Sequence, residues 1–252
     1  MYEERPARLA GAVVWTRATG AADPGSRPVL PDGCMDLIWA DGRLLVAGPD
    51  TRAYVPGSPA AHYAGVRFAP GQAPAVLGAD ASALRDERVD LAEMWGARTA
   101  RRLADRVSGA ADRAAALEAL VLRRAADAPA PDPLLRTVVA RLRAGVPVGT
   151  AADEVGLGVR QLHRRSLAAF GYGPKTLARI LRLQRALALV AAGAPYAEAA
   201  YGAGCVDQAH LAREMRSLTG MTLTDHAGST ASTGCTGCTA STGSTGCSGC
   251  TG

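Results

Sequence analysis

The stretch GLGVRQLHRRSLAAFGYGP, Gly156 to Pro174, decides how the C-terminal part of the chain folds. On a helix, which turns 100° per residue, it separates into an apolar side and a basic side. The apolar side holds Val159, Leu162, Ser166 and Phe170. The opposite side holds Arg160, Gln161, Arg164 and Ala168, with His163 and Arg165 on the flanks. The pattern predicts either an amphipathic helix with a solvated basic face or a helix that contacts an acidic partner.

A similar helix is predicted 49 positions later in the chain. Leu162 corresponds to Leu211, Arg164 to Arg213 and Gly171 to Gly220. Before the first helix, the run Thr150-Ala151-Ala152-Asp153 resembles a capping box and predicts a short helix from Ala151 to Val155. Before the second, Asp207 is placed to cap the helix start. A solvated face does not explain why the outward Arg repeats in register with the inward Leu. The repeat therefore favours two helix-turn-helix units that contact DNA.

The charge distribution along the 252 residues agrees with a polyanion-binding C-terminal part. The net charge is only +5, but residues 1–135 contain 16 Arg and 17 acidic residues, whereas residues 136–226 contain 12 Lys or Arg and 6 acidic residues. A basic module after a near-neutral one is the pattern expected when only the second module binds nucleic acid.

The first eighty residues indicate a β-rich domain. Four short runs rich in β-branched and aromatic residues predict strands: GAVVWTR, CMDLIWA, RLLVAG and HYAGVRF. The pair Asp41-Gly42 between two of these runs predicts a tight hairpin. From about Ala81, apolar residues recur at helical spacing. The predicted fold class is α+β: a β-rich, cupin-like or barrel-like domain with following helices, then an all-α DNA-binding domain with two helix-turn-helix units joined by a long helix.

These patterns divide the chain into five predicted segments. They are a β-rich sensory domain at 1–80, a helical extension at 81–127, a Pro-rich linker at 128–133, a DNA-binding domain at 134–227 and a tail at 228–252. The extension is expected either to form a dimer surface or to cover the β-rich domain. The long joining helix is expected to begin near Pro174 and to end before Gly193. The Ser/Thr/Gly/Cys tail has no apolar anchor to offset its ordering entropy, so we expect it to be disordered.

Residues 150–226 resemble the DNA-binding domain of the AraC/XylS family of bacterial transcription regulators. In the first unit the resemblance rests on Gly156, Leu162, Arg164 and the run Gly171-Tyr172-Gly173-Pro174. In the second unit it rests on Gly204, Leu211 and the run from Asp207 to Glu214. The chain departs from the family at Ser166 and Met215, where the family usually has Phe, and at Leu223, where it usually has Pro. These departures concern core packing more than DNA contacts.

The resemblance implies a sequence-specific regulator whose two recognition helices lie in adjacent major grooves of double-stranded DNA at a promoter or operator. The residues that it implies in base contacts are Arg160, His163 and Arg164 in the first unit and Gln208, Ala209, Ala212 and Arg213 in the second. The residues assigned to phosphate contacts are Gln161, Arg165, Lys175, Arg179, Arg182 and Arg216. Solvation is the alternative for the outward side chains, and packing against the adjacent helix is the alternative for His163. We expect His210 to be structural.

The segments VLPDGCMDLIW, AGPDTRA and GVRFAPG resemble an uncharacterised β-rich domain that precedes such DNA-binding domains in some regulators. Better-known family members have a cupin-like sensory barrel in this place, which implies a small-molecule effector and, in some members, a dimer. Candidate effector contacts are Asp32, Cys34, Asp36, Trp39, Arg52, His62 and Arg67. The alternative is that Trp39 and Phe68 are core residues and that Asp32-Gly33 is a turn.

The cysteines give little support to a metal site or an enzyme. Cys235, Cys238, Cys247 and Cys250 form two CxxC pairs, but their tract lacks the apolar or His context around which zinc sites fold. The alternative function is a methyl-accepting DNA-repair protein, a class that joins an AraC-type domain to a four-cysteine zinc domain. Before the linker this chain has only Cys34, whose neighbours Asp32 and Asp36 disfavour a thiolate. We therefore expect no catalysis and no cofactor.

The location and partners follow from the same features. The N-terminal run MYEERPARLAG has no signal-peptide pattern, and no segment is apolar over the length of a membrane span, so we expect a cytoplasmic protein. The expected partners are double-stranded DNA and a small effector, with RNA polymerase and a second copy of the chain as further candidates. No membrane partner is expected.

Overall fold

A computed structural model describes residues 1–19, 28–56 and 62–226. The α+β class is confirmed: the N-terminal part contains one antiparallel sheet, and the C-terminal part is helical. The predicted disordered tail and its four cysteines lie outside the described residues. No helix in the described part of the chain is long and apolar enough to cross a membrane.

The sheet has six strands within the described residues, in the order β1-β2-β5-β3-β4-β6. They are β1 (Tyr2–Pro6), β2 (Val13–Ala18), β3 (Met35–Ala40), β4 (Arg43–Ala47), β5 (His62–Phe68) and β6 (Arg88–Asp90). The four predicted strands are confirmed, and Asp41 and Gly42 form the β3–β4 turn with φ of 41° and 90°. Prediction missed β1, because YEERP is charged and exposed throughout, and β6, which is three residues long. Because β6 pairs with β4, the sheet continues past residue 80.

Helices cover one face of this sheet. They are α1 (Ala73–Leu77), α2 (Leu91–Trp95), α3 (Ala97–Ser108) and α4 (Arg113–Asp127), with a 3-10 turn at Ala81–Leu84. The alternating residues Leu37, Val46 and Val66 of three strands are fully buried beneath them, in one cluster with Leu117 of α4. The helices that follow β5 therefore cover the sheet, and a dimer surface on them stays a prediction.

The C-terminal helices form a second core. They are α5 (Pro133–Arg143), α6 (Val148–Glu154), α7 (Val159–Phe170), α8 (Pro174–Ala191), α9 (Tyr196–Gly202) and α10 (Gln208–Thr219). The predicted end of α8 is confirmed, since Gly193 follows it in the left-handed region with φ of 95°; Gly145 follows α5 in the same conformation with φ of 85°. The core between the helices is built around Leu162, Leu177 and Leu211.

Two local predictions in this part were wrong. The capping box does not form, because α6 begins at Val148 after Pro147, which places Thr150 inside the helix. Pro147 supplies the extended conformation before the helix, with φ of −58°, and leaves no role for a side-chain cap. Val159 was assigned to the buried stripe of α7 but is 73% exposed, because it is the first residue of the helix and lies beyond the core.

Ser166 gives a stability prediction. Its hydroxyl is completely buried and has no hydrogen-bond partner among the described residues. Because a buried hydroxyl without a partner costs free energy, Ser166→Ala is expected to raise the free energy of unfolding by about 1 kcal/mol, as measured by urea denaturation. Ser217→Ala is the matched control, since the Ser217 hydroxyl accepts a hydrogen bond from Arg179 at 3.0 Å. A loss of stability in Ser166→Ala, equal to that of the control, would contradict this view of the core.

Candidate DNA-binding interface and N-terminal pocket

The two helix-turn-helix units repeat each other closely. The helices α6 and α9 both have seven residues, and α7 and α10 both have twelve, with α10 beginning and ending 49 positions after α7. The second turn is one residue longer, which agrees with the spacing between the glycine and the leucine in each unit. Gly171 and Gly220 end the two recognition helices in the left-handed conformation, with φ of 82° and 72°. The repeat expected from the sequence is therefore present in the backbone.

The recognition helices begin differently. The Asp207 carboxylate accepts a hydrogen bond from the backbone N–H of His210 at 2.6 Å and so caps α10, as expected. Gly158 precedes α7 and provides no side-chain cap. His210 is structural as expected, because its Nδ1 accepts a hydrogen bond from the Val206 N–H at 3.3 Å and holds the turn against the helix.

The outward side of α7 is free for contact. Arg160, Gln161, His163 and Arg164 are all exposed. Arg160 and Arg164 have no ion-pair or hydrogen-bond partner within the described residues. The His163 ring lies over Gly173 at the start of α8, where a Cβ atom would come within 2.9 Å of Nε2. His163 is thus both exposed and packed against the neighbouring turn. This position is compatible with a base contact and also with packing against the adjacent helix.

The outward side of α10 has a similar composition. Gln208, Ala209 and Arg213 are exposed, Ala212 is half-buried, and Arg216 is exposed one turn further on. Lys175 at the start of α8 is also exposed. Most of the side chains assigned to DNA by the resemblance therefore lie on the accessible surface.

Three apolar residues of the two units are exposed, which sequence reasoning did not predict. Val159 at the start of α7, Tyr201 on α9 and Val206 in the second turn are 73%, 82% and 85% exposed. The signal for Tyr201 was available, because it lies on the side of α9 away from the buried Ala199 and Ala200. Exposed apolar side chains on a DNA-binding surface can contact thymine methyl groups or deoxyribose.

Several of the arginines assigned to phosphates are held by carboxylates. Glu214, which is buried on α10, accepts hydrogen bonds from Arg179 at 2.9 Å and from Arg182 at 3.0 Å, both on α8. Burial would raise the pKa of Glu214, but the two guanidinium groups more than offset it and lower that pKa. Arg165, the residue equivalent to Glu214 in the first unit, donates a hydrogen bond to Asp132 at 2.9 Å. Each recognition helix is thus fixed to the domain by an ion pair at the same position.

Arg185 joins the second helix-turn-helix unit to the end of α5, a contact that sequence reasoning did not predict. Its guanidinium donates hydrogen bonds to the carbonyl oxygens of Ala203, after α9, and of Arg143, at the end of α5. Burial and the nearby charge of Arg182 lower the pKa of this group. Arg179, Arg182 and Arg185 follow one another at intervals of three residues on α8, so the sequence alone could not separate Arg185 from an arginine that faces DNA.

The N-terminal domain contacts the first helix-turn-helix unit directly. Arg85 donates a hydrogen bond to the carbonyl oxygen of Gly171 at 3.2 Å, and Gln184 of α8 donates one to the carbonyl oxygen of Pro31 at 2.6 Å. The contact is close at Gly171, where a Cβ atom would lie 2.6 Å from Pro49. The turn between α7 and α8 therefore rests on two loops of the sheet domain.

The other face of the sheet carries a pocket of about 310 Å³ to which all six strands contribute. Four of the candidate effector residues line it: Asp32, Cys34, Asp36 and Arg67. The other three do not. Trp39 is buried on the helical face and donates a hydrogen bond to the Ser108 hydroxyl, so it is a core residue, as the alternative interpretation predicted. Arg52 is exposed outside the pocket, and His62 is exposed at the start of β5. Sequence reasoning missed the aromatic lining: Tyr2, Trp15, Tyr54 and Tyr63.

Charged groups in the pocket are paired and poorly solvated. The Arg67 Nε lies 3.3 Å from Asp36 and 3.5 Å from Asp32, and Asp36 also accepts a hydrogen bond from Trp15 Nε1 at 2.6 Å. Burial raises the pKa of Asp36, because the single guanidinium compensates it only in part. Burial together with Asp32 also raises the pKa of the Cys34 thiol well above its ordinary value. A reactive thiolate at Cys34, as the methyl-transfer alternative requires, is therefore disfavoured.

Within the described residues, no group of three or more His, Cys, Asp or Glu side chains is arranged to hold a metal ion. Cys205, the other described cysteine, is buried in the turn between α9 and α10. The two CxxC pairs of the tail lie outside the residues that the structure describes.

Both domains match known domain models. Residues 151–227 match a helix-turn-helix domain family, and residues 11–90 match a domain family of unknown function. No functionally described protein sequence matches the chain significantly. Solved structures of ToxT from Vibrio cholerae are similar to this chain. For an apo variant of ToxT the sequence identity is 10% and the TM-score is 0.46, and the alignment covers 88% of this chain and 98% of that chain. A ToxT complex with (E)-4-(8-methylnaphthalen-1-yl)but-3-enoic acid has 8% identity, with 89% and 97% covered and a TM-score of 0.45.

The position of the first match agrees with the geometry. It begins within α6, includes both recognition helices and ends one residue beyond the described part of the domain. The second match spans the sheet from before β2 to the end of β6. The chain therefore carries a helix-turn-helix domain of the AraC type at residues 151–227, behind a domain of unknown function at residues 11–90.

Proposed function

We propose that the chain reads a bipartite DNA site with both recognition helices and that a small effector at the N-terminal pocket controls this binding. The observation that carries the first part is the repeat of α7 and α10, because each presents an outward arginine, Arg164 and Arg213, at the same position of the helix, and neither has an ion-pair partner within the described residues. Arginine can bind guanine O6 and N7 in the major groove and thereby distinguish one base pair from the others.

In this proposal the outward residues have separate roles. Base contacts come from Arg160, His163 and Arg164 on α7 and from Gln208, Ala209, Ala212 and Arg213 on α10. Phosphate contacts come from Gln161, Lys175 and Arg216, none of which is held by an ion pair within the described residues, although Asp225 lies near enough to Arg216 to feel its charge. Arg165, Arg179 and Arg182 hold the recognition helices in place through their ion pairs. We therefore propose that their main role is to position these helices, and that phosphate contact is secondary. A dimer and a contact with RNA polymerase stay predictions.

Effector control is supported by the two loops that the pocket shares with the DNA-binding domain. Asp32 and Cys34 line the pocket, and the preceding Pro31 accepts the hydrogen bond from Gln184. Asp50 lines the pocket as well, and the preceding Pro49 packs against Gly171 at the end of α7. A ligand that moves either loop would alter the support of α7, provided that it binds the two arrangements with different affinity.

The Tyr172 side chain supports the same link. It is 3% exposed, lies beside Gly33, and its hydroxyl has no hydrogen-bond partner within the described residues. Burial and the nearby Asp32 raise the pKa of Tyr172 well above its ordinary value, so the hydroxyl keeps its proton. A donor without an acceptor beside the pocket wall is available to bind Asp32 if that loop moves.

The DNA-reading part is tested by selecting the full chain against a random duplex library. The expected result is a site with two short conserved elements whose centres lie one helical turn apart, about 10 bp, because the two helices belong to one rigid domain. Enrichment of a single element, or of no sequence above the random library, would refute the two-helix proposal.

A further inference from the structure

The register of the sheet arranges the pocket floor in three rows. The first row crosses four strands: Arg67 of β5 lies opposite Asp36 of β3, Asp36 lies opposite Ala47 of β4, and Ala47 lies opposite Arg88 of β6. The second row contains Trp15, Gly65, Ile38 and Leu45, and the third contains Arg17, Tyr63 and Ala40. Successive rows are two residues apart, about 6.6 Å along the strands. The pocket is therefore charged at one end and flat and apolar across its middle.

The charged end has a negative balance. Three carboxylates, Asp32, Asp36 and Asp50, face two guanidinium groups there. Arg88 binds Asp50 with two parallel hydrogen bonds of 2.9 and 2.7 Å, and so these two charges compensate each other.

The remaining guanidinium at this end must serve two carboxylates. Asp32 and Asp36 share Arg67, at N···O distances of 3.5 and 3.3 Å. Arg17 does not compensate them, because it lies four residues along β2 from the position opposite Arg67, about 13 Å away, and has an interaction of its own. Among the residues that line the pocket, one negative charge is therefore left without a full ion-pair partner; Arg143, which does not line the pocket, has only the weakest effect of the charged groups that act on Cys34.

The middle of the pocket suits a flat apolar group. The Trp15 indole lies across the backbone of Gly65, where a Cβ atom would come within 2.1 Å of the ring. Its own N–H is bound to Asp36, so the ring is held in one orientation beside the carboxylate. Tyr2 stacks on the indole at a centroid distance of 6.2 Å, while Ile38 and Leu45 complete the floor. An aromatic surface beside a carboxylate is a recurring arrangement for binding organic cations.

We propose that this pocket binds an organic ammonium ion, with the ammonium group at Asp32 and Asp36 and a flat apolar body on Trp15, Ile38 and Leu45. The inference rests on the proposed effector function and specifies the chemical class of the effector. An anionic ligand of the same shape is excluded from the charged end, because both arginines there are already engaged by carboxylates and the balance is negative.

Isothermal titration calorimetry of the full chain at pH 7, without DNA, tests the proposal. The probes are benzylamine, 2-phenylethylamine and tryptamine, with 2-phenylethanol and phenylacetate as matched neutral and anionic probes. We expect at least one amine to bind, and 2-phenylethylamine to bind about tenfold to a hundredfold more tightly than 2-phenylethanol, which is the range for a charge-assisted hydrogen bond in a desolvated site. Phenylacetate is expected to bind more weakly than the alcohol.

Two variants locate the ammonium group. Asp32→Asn keeps the acceptor for the Cys34 N–H but removes the charge, so we expect it to weaken the amine about tenfold and to leave the alcohol unchanged. Asp105→Asn, on the exposed side of α3, is the matched control and should change neither probe. Equal affinity for amine, alcohol and acid, no heat with any amine, or an unchanged amine affinity in Asp32→Asn would overturn the proposal. Because DNA is absent from this experiment, its failure is distinguishable from a failure of DNA selection.

Discussion

Replacing Glu214 with Gln is expected to lower the free energy of unfolding by about 2–3 kcal/mol at pH 7, as measured by urea denaturation. The carboxylate is buried on α10 and serves both Arg179 and Arg182 of α8, so the amide leaves two cations at the helix interface without their counter-charge. Within this range of about 2–3 kcal/mol we expect a value near the lower end, because both arginine side chains retain access to water and can be partly solvated. Glu198→Gln, on the exposed side of α9, is the control and should lower the free energy of unfolding by only about 0.5 kcal/mol, since it removes one acidic residue from the first turn of that helix.

The pH dependence of the same variant follows from the lowered pKa of Glu214. A carboxylate whose pKa is lower in the folded state stabilises the protein above its ordinary pKa, and this contribution is lost as the pH falls through the lowered value. The difference between wild type and Glu214→Gln should therefore be largest near neutral pH and shrink on acidification. A difference that is absent at pH 7, or that grows towards acid pH, would show that the ion pairs do not stabilise the domain.

Replacing Arg164 with Ala is expected to reduce discrimination between the selected DNA site and random DNA by about 1–3 kcal/mol, with little loss of non-specific affinity. The guanidinium has no ion-pair or hydrogen-bond partner within the described residues, so its removal breaks no polar contact among them. Fluorescence anisotropy with specific and random duplexes measures both affinities at fixed salt. Arg216→Ala is the comparison variant: as a phosphate contact, it should weaken both duplexes equally and reduce the salt dependence by about one counterion. Equal weakening of both duplexes by Arg164→Ala would reassign that residue to the backbone.

The helical domain was more predictable than the sheet domain, and the reason is periodicity. Inward residues such as Leu162, Ser166 and Phe170 recur every four residues, and this spacing identified both a helix and its inner face. The same spacing around Leu211 then revealed the 49-residue repeat. Helix starts were less accurate, because Pro147 opens α6 through its fixed backbone angle and competes with the side-chain cap proposed at Thr150. Strands such as β1 have no such signal when they are short, charged and at the edge of a sheet.

The candidate sites were predictable only as far as local sequence reaches. The outward arginines of α7 followed from helix geometry, but the engagement of Arg179 and Arg182 by Glu214 depends on a contact between residues more than thirty positions apart. In the pocket, Asp32, Asp36 and Arg67 were found, because they stand in or beside strand patterns. Trp39 could not be separated from Trp15, since only the strand register decides which face of the sheet each indole occupies.

The central claim, that each recognition helix reads its own element of one DNA site, is tested most directly by comparing Arg164→Ala with Arg213→Ala on the selected duplex. Affinities are measured for the wild-type site and for duplexes in which each base pair is replaced in turn. We expect Arg164→Ala to lose discrimination at base pairs of one element only, and Arg213→Ala at base pairs of the other, about 10 bp away. Loss at the same base pairs in both variants, or uniform weakening across all duplexes, would contradict the account.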